Sequence, residues 1–358
     1  MKKISICVIG SGSLATSLAK ILAHNAVLLP HVEDRVNIFV YDELYNDVPL
    51  GDIINSRHVN EKYLPMIELP ENLVACIDMV ETAKLADVIV FAIPRHCILV
   101  TCNILMGKIK PNAMAISVIE GFSLKENGEI QLISQEIVKS LKIPCGVLMS
   151  VNLANEVALD RYCEATLGCR DLKNIKLYKD LFSAPKFRLT VIDDVECVEV
   201  CGFLKHMIAF ASGLLDGLET NENTKSACLR FGLIEMIRFI DVFYPGCKLS
   251  TFFESCGIAD VMTVCRSSRN RRLGEIVVKT GHTVVHLEKQ LMGGEMILGT
   301  MTVKAVNYLI QQKGLQNKFP LFSTLYNICE NKSKPEDLLN SIISNPNIIY
   351  HPTKLRPL

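Results

Sequence analysis

Between residues 1 and 192, short runs rich in β-branched residues alternate with stretches of helical spacing, and few chain arrangements satisfy that alternation. The runs are Ile4 to Ile9, Val36 to Tyr41, Leu73 to Cys76, Val88 to Ile93, Ala113 to Ile119, Pro144 to Met149, Glu164 to Gly168 and Phe187 to Ile192. Strands that are apolar on both faces need cover on both faces. Crossover helices supply it, so this half is expected to be an α/β domain with a doubly wound, mainly parallel sheet. From Asp193 onward the strand signal fades, and helical spacing takes over in Val195 to Leu218, Ser226 to Phe243, Thr302 to Gln312 and Pro335 to Ser344. Asp193 or Asp194 is placed to cap the first of these helices. The expected division is therefore an α/β domain over residues 1–192 and an all-helical domain over residues 193–358.

Charge and cysteine content narrow the function classes. The 38 basic and 38 acidic residues cancel, so no whole-chain field favours nucleic acid or an anionic membrane, and partners must be read from local sites. The 14 cysteines form no CxxC pair, and several, such as Cys7, Cys145 and Cys201, lie in apolar runs. With no amino-terminal signal pattern, that usage fits free thiols in a reducing, cytoplasmic compartment. The longest apolar stretches, Val88 to Pro94 and Phe203 to Leu215, are too short or are interrupted by Lys205 and His206, so no membrane span is expected.

Chemistry concentrates in a few places. Gly10-Ser11-Gly12-Ser13-Leu14-Ala15 matches GxGxxA directly after the first apolar run and opens a helix, where bare backbone lets a dinucleotide pyrophosphate approach the N–H groups. The second run ends at Tyr41, Asp42 and Glu43. An acid there either bonds the adenosine ribose, favouring NAD over NADP, or is a solvated strand end, since its offset from Gly10 exceeds the usual ~20 residues. Lys205, in the apolar stretch Glu196 to Leu215, is either a snorkelling surface residue or, in a cleft, a proton carrier. Arg266, Arg269, Arg271 and Arg272 form either a solvated basic face or, through Arg269 beside Asn270, a phosphate clamp. His282 and His286 stand four apart but lack an HExxH motif or an obvious third ligand, so no metal is expected. Finally, the run Ala115 to Ile119 stops on Glu120 and Gly121, a carboxylate where parallel sheets present ligands.

In order along the chain come GSGSLA, KYLP (Lys62 to Pro65), LPENLVA (Leu69 to Ala75), ADVIVFAIP (Ala86 to Pro94), ISVIEG, NLANEVA (Asn152 to Ala158), VEVCGFLKH, ENTKSA (Glu222 to Ala227), ESCGIAD (Glu254 to Asp260), RNR and KFPLF (Lys318 to Phe322). From its first strand to near its end the chain resembles the cytosolic NAD-dependent glycerol-3-phosphate dehydrogenase family. The resemblance implies a Rossmann-like first domain, a helical second domain and a homodimer. It also implies the interconversion of dihydroxyacetone phosphate and sn-glycerol 3-phosphate with NADH and NAD. By the same resemblance Lys205 is the proton donor and acceptor, and Asp260 holds it charged. Arg269 and Asn270 take the phosphate, with Arg269 also touching the cofactor, Asn152 lines the substrate pocket, Ala154 contacts the nicotinamide region, and Gly10 to Ala15 carry the pyrophosphate.

The departures fall around the anionic substrate. Glu120 stands where the family has a lysine, His206 where an asparagine is usual, Val264 at a hydroxyl position, and Ser267-Ser268 in place of two glycines. Met296 and Leu298 occupy the places of a lysine and a glutamine, and Leu14 that of a tryptophan. Two positive charges are lost and one negative charge gained, which predicts weakened substrate binding. A working dehydrogenase is one reading of the whole; a weak or inactive paralogue serving as a binding or regulatory subunit is the alternative.

Overall fold

The computed structural model describes residues 3–150, 153–291 and 297–343. The chain divides into two units, Met1–Ser123 with Gln131–Glu199, and Leu124–Ile130 with Val200–Leu358.

In the first unit each apolar run contributes a strand to one sheet: β1 (Ile4–Ile9), β2 (Val32–Phe39), β3 (Leu73–Cys76), β4 (Val88–Phe91), β5 (Met114–Ser117), β6 (Cys145–Ser150), β7 (Cys163–Gly168) and β8 (Phe187–Ile192). Their order is β8-β7-β6-β5-β4-β1-β2-β3, with every neighbouring pair parallel except β6 and β7. The pleat explains why these strands read as unbroken hydrophobic runs. Along β1, Ile6 and Val8 enter one core with Leu18 and Leu22 of helix α1 (Ser13–Ala26), while Cys7 and Ile9 enter another with Ile98, Ile133 and Ile137. Each such side chain, fully buried, contributes roughly 1.5–3 kcal/mol of transfer free energy.

The ladder ends differ from the sequence reading in ways that matter for the site. β2 stops at Phe39, so Tyr41 and Asp42 lie beyond it, and β5 stops at Ser117, so Glu120 sits on the following loop. Antiparallel β7 was not legible, because a strand buried on both faces has the same composition in either direction.

Helix α2 (Ile133–Leu141) belongs to the first unit, and α3 (Val195–Gly217) contains the division between Glu199 and Val200. The 23 residues of α3, with a window of mean hydropathy 1.4, have the length and composition of a membrane span, so the sequence estimate taken from Phe203 to Leu215 was too short. All of that window is buried within the protein. The second unit continues with α4 (Glu222–Phe243), α5 (Asp260–Ser267), α6 (Arg269–Thr280), α7 (Leu298–Gln312) and α8 (Pro320–Cys329). A further helix runs over Asp337–Ile343, and the expected end at Ser344 lies outside the described residues. Within this unit α3 and α6 touch backbone to backbone. A Cβ on Gly213 would fall 1.8 Å from the Arg271 carbonyl oxygen, and one on Gly274 would fall 2.4 Å from that of Phe210. Arg271 also donates from Nε to Asp216 at 2.6 Å, tying the same two helices.

Among the helices that begin at apolar residues with no side-chain cap of their own are α2 after Leu132, α7 after Ile297 and α8 after Phe319. Buried glutamates from elsewhere in the same unit serve instead. Glu199 accepts from Ser134 N at 3.1 Å and from the Ser134 hydroxyl, and Glu288 accepts from Ile297 N at 2.9 Å and from Thr300. Glu235 accepts from Leu321 N at 2.8 Å and Phe322 N at 2.9 Å. Such carboxylates satisfy orphan N–H groups and meet the positive end of the helix dipole.

Burial nevertheless pushes Glu235 up to about 8, against the two N–H donors and Arg238, which pull it down. The folded protein therefore holds this proton to higher pH than the unfolded chain does. The associated stability is fully present below the ordinary carboxylate range and is lost as pH rises towards 8. Glu235→Gln should lower stability by about 1–3 kcal/mol, because its amide group turns N–H against N–H at one donor. It should also flatten the fall in unfolding free energy with pH by about 1.4 kcal/mol per unit across that window. Urea denaturation between pH 5 and 8 tests this, and an unchanged slope would count against it.

None of the fourteen cysteines is in a disulfide, and burial pushes the Cys102 and Cys265 thiols up to about 12.

Candidate active site

In the first unit the glycine turn follows β1. Gly10 has φ +122°, and a Cβ there would lie 2.2 Å from the Ala92 carbonyl oxygen, so only glycine lets the turn close against the end of β4. Gly12 is the N-cap of α1 and makes no side-chain cap, the first turn carries no acid, and a Cβ at Gly12 would meet nothing within 4 Å. Ser11 and Ala15 are buried, while Ser13 and Leu14 are half-buried. The result is an uncapped helix terminus reached over bare backbone, which fits a pyrophosphate group.

Asn60 holds this turn in place, although nothing in its local sequence marks it. Completely buried, it donates from Nδ2 to the Ser11 carbonyl oxygen and to Thr16 Oγ1, both at 2.8 Å, and its Oδ1 accepts from Tyr63 N at 3.2 Å. An isolated asparagine just ahead of KYLP carries no chemical signature; only the fold brings it to the loop. Ala154 also comes to this helix, its carbonyl oxygen accepting from Ser17 Oγ at 2.9 Å. Beyond β2, Glu43 is engaged by Lys62 at 2.5 Å and Tyr63 at 3.0 Å, whereas Asp42 and Tyr41 are exposed. Glu120 is likewise exposed, just before Gly121.

In the second unit Lys205 is 1% exposed, which rules out snorkelling. Its Nζ donates to Asp260 Oδ2 at 2.6 Å, and Asp260, the first residue of α5, is equally buried. A buried ammonium of this kind is sustained by its carboxylate partner. The next residue, His206, is also buried, and its Nδ1 lies 2.9 Å from Asn270 Nδ2. Asn270 Oδ1 accepts from Gly299 N at 2.9 Å. Arg269 and Asn270 open α6, whose N-cap Ser268 accepts from Arg271 N at 3.1 Å. Arg269 is exposed at that positive helix end, and Asn270 is turned inward. Val264 stands one turn beyond Asp260, and Leu298 starts α7; both are half-buried. Asn152 and Met296 lie outside the described residues.

By class the chain is a dinucleotide-dependent dehydrogenase: its first unit carries a turn shaped for a pyrophosphate, and its second keeps a proton-bearing side chain out of water. Known proteins agree. The family described as NAD-dependent glycerol-3-phosphate dehydrogenase N-terminus matches residues 5–175, and the one described as its C-terminus matches residues 194–340. The cytoplasmic glycerol-3-phosphate dehydrogenase [NAD(+)] of Drosophila melanogaster is 51% identical over 96% of this chain and 95% of its own length. That of Rattus norvegicus is 43% identical over 90% and 93%. A solved glycerol-3-phosphate dehydrogenase of Plasmodium falciparum superposes with a TM-score of 0.91 at 34% identity, covering 96% of each chain. The chain belongs to the NAD-dependent glycerol-3-phosphate dehydrogenase family. Nothing in these comparisons supports the alternative of a regulatory subunit.

Proposed function

We propose that this protein interconverts dihydroxyacetone phosphate and sn-glycerol 3-phosphate in the cytoplasm, and that Lys205 carries the proton. The observation that bears this reading is the buried Lys205–Asp260 pair at 2.6 Å. A lysine excluded from water and held by a carboxylate is oriented to give its proton to an oxygen.

NAD, when bound, supplies the redox chemistry, a hydride exchanged at the carbon that bears the reacting oxygen. Lys205 Nζ donates to that oxygen during reduction and takes the proton back during oxidation. Asp260 keeps the ammonium form favoured and fixes its direction. Arg269 and the opening turn of α6 draw in the phosphate, and Asn270 gives it a hydrogen-bond donor. Gly10 to Ala15 receive the cofactor pyrophosphate on the uncapped end of α1, Asp42 beside Tyr41 meets the adenosine ribose, and Ala154 borders the nicotinamide side; Arg269 also reaches the cofactor. Glu120 occupies a substrate-facing family position with its sign reversed, and its exposure lets solvent moderate the repulsion. The protein works as a homodimer, and its long apolar helix α3 is a core helix, not a span.

Steady-state assay of the purified full chain with dihydroxyacetone phosphate is the test. NADH should be oxidised, and in preference to NADPH, because an acid at the ribose edge repels a 2′-phosphate. Absence of substrate-dependent NADH oxidation would refute the reading, and equal use of NADPH would remove Asp42 from the ribose.

A further inference from the structure

The amide of Asn270 has two possible orientations, and its neighbours decide between them. Gly299 N is a backbone donor and cannot be anything else, so the atom 2.9 Å from it must be an acceptor, the Asn270 oxygen Oδ1. That assignment turns Nδ2, which carries two hydrogens, towards His206 Nδ1 at 2.9 Å. A donor there needs an acceptor, so Nδ1 must be unprotonated and the imidazole must carry its proton on Nε2. We infer that His206, as the neutral Nε2–H tautomer, is a positioning residue that, together with the Gly299 N–H, holds Asn270 Nδ2 towards an anion.

The consequence rests on the proposed role of Asn270 towards the substrate phosphate. One Nδ2 hydrogen goes to His206, and the other remains for the phosphate. With the amide reversed, an oxygen lone pair would meet the anion and an N–H would face the Gly299 N–H, so both contacts would be repulsive. Gly299 is itself required at its position, since a Cβ there would fall 2.3 Å from Asn270 Oδ1. His206 and Asn270 are both buried, which keeps water from substituting for either partner. Within the second unit the backbone contact between α3 and α6 holds the pair in register.

Two measurements on the full-length protein test the inference. Nitrogen-15 NMR of histidine-labelled wild type at neutral pH should show Nδ1 of His206 unprotonated; a proton on Nδ1 overturns the inference outright. In steady-state kinetics, His206→Leu should raise KM for dihydroxyacetone phosphate about tenfold, with a smaller change in kcat, since it removes the Nδ2 acceptor and leaves the Gly299 N–H alone to hold the amide. His206→Asn, which returns an acceptor oxygen near the Nδ1 position, should recover most of that loss, a rescue that mere filling of space would not give. Equal KM values in His206→Leu and wild type would overturn the inference. Asn270→Ala, measured alongside, separates the two readings. If its KM stays at the wild-type value, the phosphate role of Asn270 fails, and the NMR result alone judges the tautomer.

Discussion

Lys205→Met will lower kcat for dihydroxyacetone phosphate reduction by about 10²–10⁴-fold, the range that general acid catalysis supplies. Methionine matches much of the lysine's volume but has no proton to give. NADH binding, measured by fluorescence titration, will stay at the wild-type level, because the pyrophosphate turn belongs to the first unit. A second effect has to be separated from the first. Removing the ammonium leaves Asp260 buried without its cation, which costs about 3–5 kcal/mol of stability. Adding Asp260→Asn to Lys205→Met removes the stranded charge and should restore most of that stability without restoring turnover. A double variant that regained both would show that the pair is structural and that the proton comes from elsewhere.

Gly213→Ala should be strongly destabilising to the second unit. A helix interior ordinarily gains up to about 1 kcal/mol when alanine replaces glycine, because the unfolded chain loses freedom. Here the new methyl would sit 1.8 Å from the Arg271 carbonyl oxygen and 2.7 Å from its carbon, and both are backbone atoms that no rotamer change can move aside. Separation of α3 from α6 is the only relief, at a cost of about 3 kcal/mol or more, the upper end of overpacking. The same displacement would draw Asn270 away from His206, so KM should rise as thermal stability falls. Gly51→Ala is the control, because its Cβ would meet only Ile77 Cγ2 at an ordinary 3.6 Å, and it should raise the melting temperature slightly. Calorimetry of the two variants compares them directly, and a Gly213→Ala protein as stable as wild type would mean that the helices are not in backbone contact.

The sheet was largely legible in the sequence because its strands are buried on both faces, and all eight apolar runs became its strands. Its edges were less so. Glu33, Asp34 and Arg35 lie within β2 and are exposed, at an irregularity of the ladder where only the flanking Val32 and Val36 pair with β1. The pairs Leu44–Tyr45 with Val48–Pro49 and Phe122–Leu124 with Ile130–Leu132 are too short to leave a periodic trace. In the candidate site the glycine turn was readable because it is contiguous. Lys205 was not decidable, since α3 is apolar all round and no periodicity tells which face meets a partner. Its partner Asp260 stands 55 residues away, and the His206–Asn270 contact joins residues 64 apart. Only the packing of helices creates those pairs.

The borrowed caps of α2, α7 and α8 bear on the order in which the chain assembles. A helix whose first turn is capped by its own serine or aspartate can flicker into existence alone, whereas α8 opens on Phe319-Pro320 and waits for Glu235, 86 residues earlier in the chain. Until α4 is in place, its leading N–H groups have only water, and the nucleus is correspondingly unfavourable. Helix α2 depends in the same way on Glu199, 65 residues downstream. Local segments are thereby denied independent stability, and the rate of folding is tied to contacts made across long stretches of chain. Each unit gains cooperativity from this: a helix end that loosens also unseats a buried carboxylate, so partial opening is penalised twice.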